Sequence, residues 1–400
     1  MLEVFTMIIT AVLNIGFLPE IYLYAAFVLF VAFLIFKSGK LSLELLKNPL
    51  AWMYSCIGLF FVIQYPKLSD LSMSACFVLY CALPFLILVS GFELIDMNRE
   101  RATVVFKRVI YAIVVGCAIH CLLNIFSNIG HDRWHLVDFF LGNRSATNSG
   151  ALNTFIFALL PAMLMEKNWK VKFVGSICFA ISLIYAFILG TRTQLYMLVL
   201  ILVGSAILFI VTSEKGTITP KLIIKWIVSI VVVVVAVYFI LNYDVMGVKT
   251  TIESSNLGYR YVDVETAKSD TYRLGLIVEG LESLIKYPLG GNPVDHYFHN
   301  YWLDVGRVGG VIPFILAVAI TLINLFQMWK VFRNKKYENS VRFAVLGLYL
   351  GTYMNYGLEP IMDGFTHLIF RFLLVNGMVY ALYRFGKTTQ EPTESSAVPE

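Results

Sequence analysis

Charged residues are scarce in this sequence of 400 residues. Asp, Glu, Lys and Arg make up 14% of the chain, whereas a soluble domain averages about 25%. Hydrophobic residues make up 58%, and the mean hydropathy is +0.76. This shortage of charge excludes an ordinary soluble domain and predicts an integral membrane protein. The formal net charge of +5 is spread over many loops, which argues against nucleic acid as a partner.

Three further features are missing from the sequence. There is no HExxH sequence, paired aspartate motif or Cys/His cluster, so we predict neither a metal site nor a cofactor. The first residues lack a basic region and a small-residue cleavage site, so we predict no removable signal peptide. The six cysteines all fall in apolar runs and none in a predicted exported loop, so no disulfide framework is expected: Cys56, Cys76, Cys81, Cys117, Cys121 and Cys178.

Long apolar runs are what the sequence has instead. A run of roughly 17–25 apolar residues is long enough to cross a bilayer as a helix. The predicted fold class is therefore all-α, a polytopic membrane protein with about twelve transmembrane helices. The runs lie near residues 4–18, 20–36, 49–64, 73–95, 109–127, 148–165, 173–189, 194–212, 226–241, 301–329, 343–358 and 365–383.

Lys and Arg predict the orientation, because they stay in cytoplasmic loops. Alternate loops hold twenty of the 31 basic residues, whereas the opposite short loops hold only Lys67, Arg133, Arg144 and Arg192. We therefore predict that both termini are cytoplasmic. The predicted regions are transmembrane helices 1–9 in residues 1–241, an exported loop in 242–300, helices 10–12 in 301–385, and a disordered cytoplasmic tail in 386–400.

The long exported loop contains a helical pattern. Ser269 or Asp270 is a suitable N-cap, and residues 271–286 have helical period until Tyr287-Pro288. One face of this predicted helix is apolar, which suits a helix on the membrane surface or packed on the bundle. The apolar face consists of Leu274, Ile277, Val278, Leu281, Leu284 and Ile285.

Two arginines on the predicted exported side are candidate anion ligands. Arg192 lies in Gly190-Thr191-Arg192-Thr193-Gln194, and Arg273 lies near the predicted start of the amphipathic helix. A guanidinium has a fixed fork of donors that matches phosphate. Two arginines from different elements are able to hold a diphosphate, with help from the N–H groups of a helix start. The alternative for each is an anchor to lipid headgroups.

A polar cluster at the end of this loop holds the candidate base. His299 and Asn300 precede an apolar run, and Arg307 follows within it. An imidazole titrates near neutrality and suits proton transfer from a sugar hydroxyl. His296 is the competing histidine and, like Arg307, a candidate substrate-binding residue. Asn300 is expected to orient a substrate hydroxyl or the loop. The alternative is a hydrogen-bonded structural histidine.

Other polar residues are weaker candidates. Glu359, in a short exported loop, is a candidate contact to the acceptor, although capping and solvation also explain it. His120 and Arg371 lie within apolar runs. His120 has no obvious partner in the sequence, and we expect it to pack in the bundle.

These motifs, in this order, resemble those of the bacterial O-antigen ligase and O-antigen polymerase (Wzy-type) superfamily. The likeness rests on the arginine motif at Arg192, on Arg273 ahead of Tyr287-Pro288-Leu289-Gly290-Gly291, and on His299-Asn300-Tyr301-Trp302-Leu303 with Gly306 and Gly309. The architecture covers nearly the whole chain, and the motifs cover about 120 residues.

The resemblance implies a metal-independent, inverting glycosyltransferase in the bacterial cytoplasmic (inner) membrane. Its donor would be an oligosaccharide linked to undecaprenyl diphosphate, and its acceptor a glycan or the lipid A core. Arg192 and Arg273 would bind the diphosphate, and His299 would be the base or would orient the acceptor. The resemblance also implies membrane lipid as a partner. It allows a flippase and a chain-length regulator as partner proteins.

Members of this superfamily differ in the acceptor, and the predicted spans do not distinguish them, so alternative functions stay open. We favour an O-antigen or capsular polysaccharide polymerase, because the exported loop lacks a basic cluster for phosphorylated core lipid. An O-antigen ligase, which transfers finished glycan to the lipid A core, is the first alternative. The second is a flippase or transporter of lipid-linked oligosaccharide. Transporters tend to have two related halves, and this sequence shows no internal repeat.

Overall fold

A computed structural model describes most of the chain after the first predicted spans. The described residues are 27–29, 31–32, 35, 48–131, 135–140, 142–143, 146–212, 243, 253, 255, 265–294, 296–359, 361 and 366–388. The predicted spans 4–18 and 226–241, most of 20–36, most of the exported loop before residue 265 and most of the tail lie outside the described residues.

The described part is almost entirely helical, as predicted. One short antiparallel ladder joins β1 (Val137–Asp138) to β2 (Gly142–Asn143). The helices are α1 (Pro49–Gln64), α2 (Met73–Asp96, with a π-helical segment at Phe77–Ala82), α3 (Ala102–Ser127), α4 (Ala146–Leu164), α5 (Trp169–Leu189), α6 (Arg192–Thr212), α7 (Glu265–Lys286), α8 (Tyr301–Gly309), α9 (Val311–Arg333), α10 (Asn339–Leu358) and α11 (Thr366–Thr388).

Six helices in the described residues are long and apolar enough to cross a membrane: α2, α3, α5, α6, α9 and α11. This agrees with a multi-pass membrane protein, while the number of twelve spans stays a prediction. Helices α4 and α10 are also long but carry buried polar side chains, among them Asn153, Thr352 and Asn355. Helices surrounded by protein tolerate such groups because neighbouring helices offer partners, as where Asn153 accepts a hydrogen bond of 2.6 Å from Ser182 on α5.

Burial separates central from peripheral helices. The apolar window of α11 is 83% buried, whereas that of α6 is 17% buried. Helices α2 and α11 approach so closely that a side chain on Gly91 would overlap the carbonyl of Leu374, and one on Gly377 the carbonyl of Leu88. Small residues at such positions let transmembrane helices pack backbone against backbone. Helix α11 is therefore a central element of the bundle.

A cluster of three charged residues links α3 to the segment after α4 and to the segment before α10. Lys107 Nζ, on α3, lies 3.0 Å from Glu166 Oε1 and 3.0 Å from Glu338 Oε2. Glu166 follows α4, and Glu338 lies between α9 and α10. All three residues belong to loops predicted on the cytoplasmic side. These contacts bring the three segments together, and the side of the membrane on which they lie stays a prediction.

Candidate functional site

His299 has the most unusual backbone among the described residues. It is the one non-glycine residue there with a positive φ, 51°. An L-residue in this left-handed region carries a conformational cost, although histidine tolerates it better than most. Such conformations persist only where the surroundings hold them, and they cluster at functional sites. His299 is therefore a candidate functional residue whose conformation depends on its neighbours.

Asp304 holds the turn at His299 from one side. Its Oδ1 accepts a hydrogen bond of 2.9 Å from the backbone N–H of Phe298, and its side chain is fully buried. From the sequence alone, no role was assigned to this acid. Its position in the first turn of α8 was the available signal, since acids are favoured at helix starts. We assign Asp304 as a positioning residue for His299.

Asn300 holds the same turn from the other side. It is the N-cap of α8, and its Oδ1 accepts from the backbone N–H of Leu303 at 3.2 Å. Of the two roles expected for Asn300, this contact is the one that orients the loop. Its predicted contact with a substrate hydroxyl stays a prediction.

The imidazole of His299 is neutral at ordinary pH. Burial and the positive charge of Arg273 lower the pKa of His299 to about 4. Its Nδ1 atom is buried and has no hydrogen-bond partner among the described residues. Buried polar atoms are normally satisfied, so this nitrogen is available to bind water or a substrate. This histidine is therefore able to accept a proton or to bind a substrate hydroxyl.

Arg273 is close enough to His299 for its charge to act on the ring. Arg273 lies on α7, and His299 lies in the loop before α8. The predicted helix start is wrong, however, because α7 begins at Glu265 and runs through Ser269 and Asp270. A cap residue permits a helix start without forcing one, and nothing in residues 265–270 breaks a helix. Arg273 is thus more than two turns from the start of α7, and the N–H groups there are not beside it.

Helix α7 packs on α8 through a small core. Gly280 faces Phe298 and Leu303, where an added Cβ would lie 2.9 Å from Leu303 Cδ1. Leu276 and Leu284 complete this core. The predicted apolar face is therefore divided. Its buried part contacts α8, and its exposed part consists of Leu274, Val278, Leu281 and Ile285.

The loop after α7 is fixed to the end of α8 by backbone contacts. The N–H groups of Gly291 and Asn292 donate to the carbonyls of Val308 and Arg307, at 3.0 and 3.2 Å. Gly290 has a φ of 79°, and a side chain there would overlap the Val308 carbonyl. These contacts keep α7 and α8 in one relative position, which holds Arg273 near His299.

His296 and Arg307 have structural contacts in this region. His296 Nε2 lies 3.1 Å from Glu279 Oε2 on α7. Arg307 is 7% exposed, and its Nη1 donates to the carbonyl of Val294 at 3.4 Å. Both side chains thus tie the loop to its neighbouring helices. Their predicted roles in substrate binding stay predictions.

Arg192 is the first residue of α6, next to a tight turn from α5. Gly190 ends α5 in the left-handed conformation with a φ of 65°. Thr193 Oγ1 donates to Glu359 Oε1 at 2.6 Å, and Gln194 Nε2 donates to Asn355 Oδ1 at 3.3 Å. These bonds attach the Arg192 turn to the end of α10. Glu359, which we predicted to contact substrate, is 3% exposed and anchors this turn.

The last turn of α10 connects the Arg192 turn to the His299 region. Tyr356 lies on this turn, and its ring centroid is 4.3 Å from that of Tyr301 on α8. Trp302, also on α8, stacks with Tyr353 at 6.4 Å. The Arg192 turn and α8, which follows His299, therefore both contact the end of α10, although Arg192 and His299 are far apart in sequence.

A second polar cluster was missed by sequence reasoning. His120 Nε2 lies 2.8 Å from Asp138 Oδ2, and Asn124 Nδ2 donates to the same oxygen at 3.0 Å. The expectation that His120 lacks a polar partner is therefore wrong. The available signal was the spacing of His120, Asn124 and Asn128, which repeats every four residues and puts them on one helix face. This cluster binds the β1 segment back onto α3.

Comparison with known proteins does not identify a family for this chain. The chain matches no protein-family model, and no curated protein sequence is significantly similar to it. A functional assignment therefore rests on the site residues and on the resemblance of their motifs.

Proposed function

We propose that this protein is a membrane glycosyltransferase of the O-antigen polymerase type. It would move a growing glycan from undecaprenyl diphosphate to the next lipid-linked repeat, at the outer face of the cytoplasmic membrane. The observation that carries the proposal is the neutral, partly buried His299 held in a left-handed turn beside Arg273.

The chemistry requires a proton acceptor and an anion-binding group. An acceptor hydroxyl attacks the anomeric carbon of the donor, and the bond from that carbon to the diphosphate oxygen breaks. The electron pair leaves with the diphosphate, and His299 accepts the hydroxyl proton. Arg273 and Arg192 are the cations proposed to offset the charge on the departing diphosphate, which is a role for preorganised charges.

The low pKa of His299 suits this order of events. With no donor bound, Arg273 and burial keep the imidazole neutral. A bound diphosphate would offset the charge of Arg273, and a nearby negative charge raises the pKa of a histidine. The ring would therefore become a stronger base when the donor is present. This coupling supports a role for His299 as the base, with acceptor positioning as its alternative.

Substitution of His299 tests the proposal. We expect His299→Ala to lower transfer by about 10²–10⁴-fold, the usual contribution of general base catalysis. Arg192→Lys and Arg273→Lys should each impair transfer, because an ammonium lacks the bidentate fork. His131→Ala, at an exposed histidine in another loop, is the matched control. Wild-type chain lengths in the His299→Ala strain, with the protein inserted normally, would refute the proposal.

The acceptor is identified by the product that a deletion strain accumulates. Single repeats on core lipid would indicate a polymerase, whereas unmodified core would indicate a ligase. Purified protein should transfer glycan in vitro without a membrane gradient. A protein that only moved the lipid-linked donor across vesicles, without forming a glycosidic bond, would be a transporter.

A further inference from the structure

A cavity lies at the C-terminal end of α9, the end away from its junction with α8. Helix α9 begins two residues after α8 ends, and its 23 residues rise roughly 35 Å, enough to cross a bilayer. The cavity is at its far end, between α9, the connection to α10, and α11. Its volume is about 470 Å³, within the roughly 300–1,000 Å³ of small-molecule sites.

The cavity is cationic and aromatic. Lys330 and Arg333 line it together with Trp329, Tyr337 and Tyr383, and none of its lining residues is acidic. Each cation lies over a ring of its own helix. Lys330 Nζ is 5.3 Å from the centre of Phe326, and Arg333 Cζ is 5.8 Å from that of Trp329.

Acidic side chains are scarce around these two cations. Glu338 is the one acid in residues 311–358, and α11 contains none. Glu338 is bound to Lys107 at 3.0 Å and does not line the cavity. The two cations therefore give this cavity a positive charge that no lining side chain offsets.

The outer face of α9 leads into the cavity. Exposed apolar side chains recur at spacings of three, four or seven residues along one stripe, and the stripe ends at the rings beside the two cations. The stripe is formed by Ile312, Ile315, Leu322, Phe326 and Trp329. An exposed apolar stripe on a membrane-spanning helix faces lipid chains, and Trp is typical of the headgroup level. Cations directly beyond such a stripe are therefore at the depth of lipid phosphates.

We propose that this cavity binds the phosphate headgroup of an anionic phospholipid, whose acyl chains lie along the α9 stripe. Lys and Arg together recognise the phosphate, with Arg supplying a bidentate fork. Basic pockets between transmembrane helices on the cytoplasmic side bind anionic headgroups in this way. The predicted orientation puts the cavity in that leaflet.

The site is tested by lipid retention. Purified protein is mixed with phosphatidylglycerol or phosphatidylcholine and analysed by native mass spectrometry. We expect wild-type protein to prefer phosphatidylglycerol. The double variant Lys330→Gln/Arg333→Gln should bind it about thirtyfold more weakly, since each basic residue near a lipid surface contributes about 1 kcal/mol. The charge-keeping double variant Lys330→Arg/Arg333→Lys should retain most of the binding.

The matched control removes the same charge elsewhere. Lys170 and Lys172 are exposed at the start of α5, in a loop predicted on the same side, and they do not line the cavity. Lys170→Gln/Lys172→Gln should bind phosphatidylglycerol like wild type. An equal loss in both double variants, or no loss in the cavity variant, would overturn the proposal.

A second arm separates a lipid from a free anion. Inorganic phosphate at millimolar concentration should neither stabilise the protein against heat nor displace phosphatidylglycerol. Stabilisation by inorganic phosphate equal to that by the lipid would assign the cavity to a soluble anion and reject the lipid. These measurements involve no glycan transfer, so their result is independent of the proposed enzyme activity.

Discussion

Asp304→Ala is the change that best separates the geometry of His299 from its chemistry. The side chain of Asp304 makes its hydrogen bond to the neighbour of His299 and not to His299 itself. It accepts from the backbone N–H of Phe298, the residue before His299, at 2.9 Å. The substitution therefore leaves the imidazole present and removes one support of the turn that presents it.

Two energies decide the expected size of the effect. Holding a non-glycine residue in the left-handed region costs about 1–3 kcal/mol. Leaving the buried N–H of Phe298 without a partner costs about 1–3 kcal/mol. Because the two are similar in size, losing this bond should shift the turn at His299 away from its present conformation by about 2 kcal/mol, a factor of about thirty.

Two assays measure this shift. Deuterium exchange at the amide of Phe298 reports the turn directly, and we expect it to accelerate about thirtyfold in Asp304→Ala. Transfer of glycan from the lipid-linked donor should fall by a similar factor. Asp304→Asn keeps a neutral acceptor of the same shape and retains about 1 kcal/mol of the bond. It should therefore lose only about fivefold in either assay, since about 1.4 kcal/mol corresponds to tenfold.

The two measurements have separate outcomes that would contradict the prediction. Unchanged exchange at Phe298 in Asp304→Ala would show that other contacts hold the turn. Faster exchange with unchanged transfer would show that the left-handed turn of His299 is unnecessary for activity.

Two further predictions concern the neighbours of this site. In the proposed mechanism the neutral imidazole of His299 is the active form. The kcat/KM for transfer, which reports the free enzyme, should therefore rise with pH through a pKa of about 4 and stay level above it. Arg273→Gln should move this limb to higher pH, because it removes one of the two causes that lower the pKa, and an unchanged pH profile would contradict the coupling. Thr193→Val removes the donor to the buried carboxylate of Glu359 and should cost about 1–3 kcal/mol of stability, seen as a lower midpoint of thermal unfolding. Ser205→Ala on the same helix is its control, because that buried hydroxyl has no hydrogen-bond partner among the described residues and its loss should not lower the midpoint.

The helical membrane architecture was predictable because it depends on composition over long windows. A run of apolar residues must leave water whatever its neighbours are, and Lys and Arg mark alternate loops. The contacts of Lys107 with Glu166 and Glu338 agree with that alternation. The end of α7 at Lys286 was also readable, since Tyr287-Pro288 cannot continue a helix.

Predictions from single residues were less successful. The start of α7 was placed too late, because Ser269 and Asp270 suit a cap but also fit inside a helix. His120 was read as a packing residue, because its partner Asp138 is brought back by a turn that local sequence does not specify. The predicted apolar face of α7 does not all pack on the protein, since periodicity identifies a face but not what covers it.

The residue types proposed for phosphate binding and proton transfer were determined by the sequence itself, because guanidinium and imidazole chemistry belongs to the side chain. Their arrangement was decided by tertiary structure. The charge of Arg273 acts on His299 only because α7 packs on α8 through Gly280, and the Arg192 turn is tied to α10 through Glu359. These contacts join residues distant along the chain, and their distances depend on how whole helices pack. For that reason the roles of Asp304 and Glu359 as supports emerged only from the folded protein.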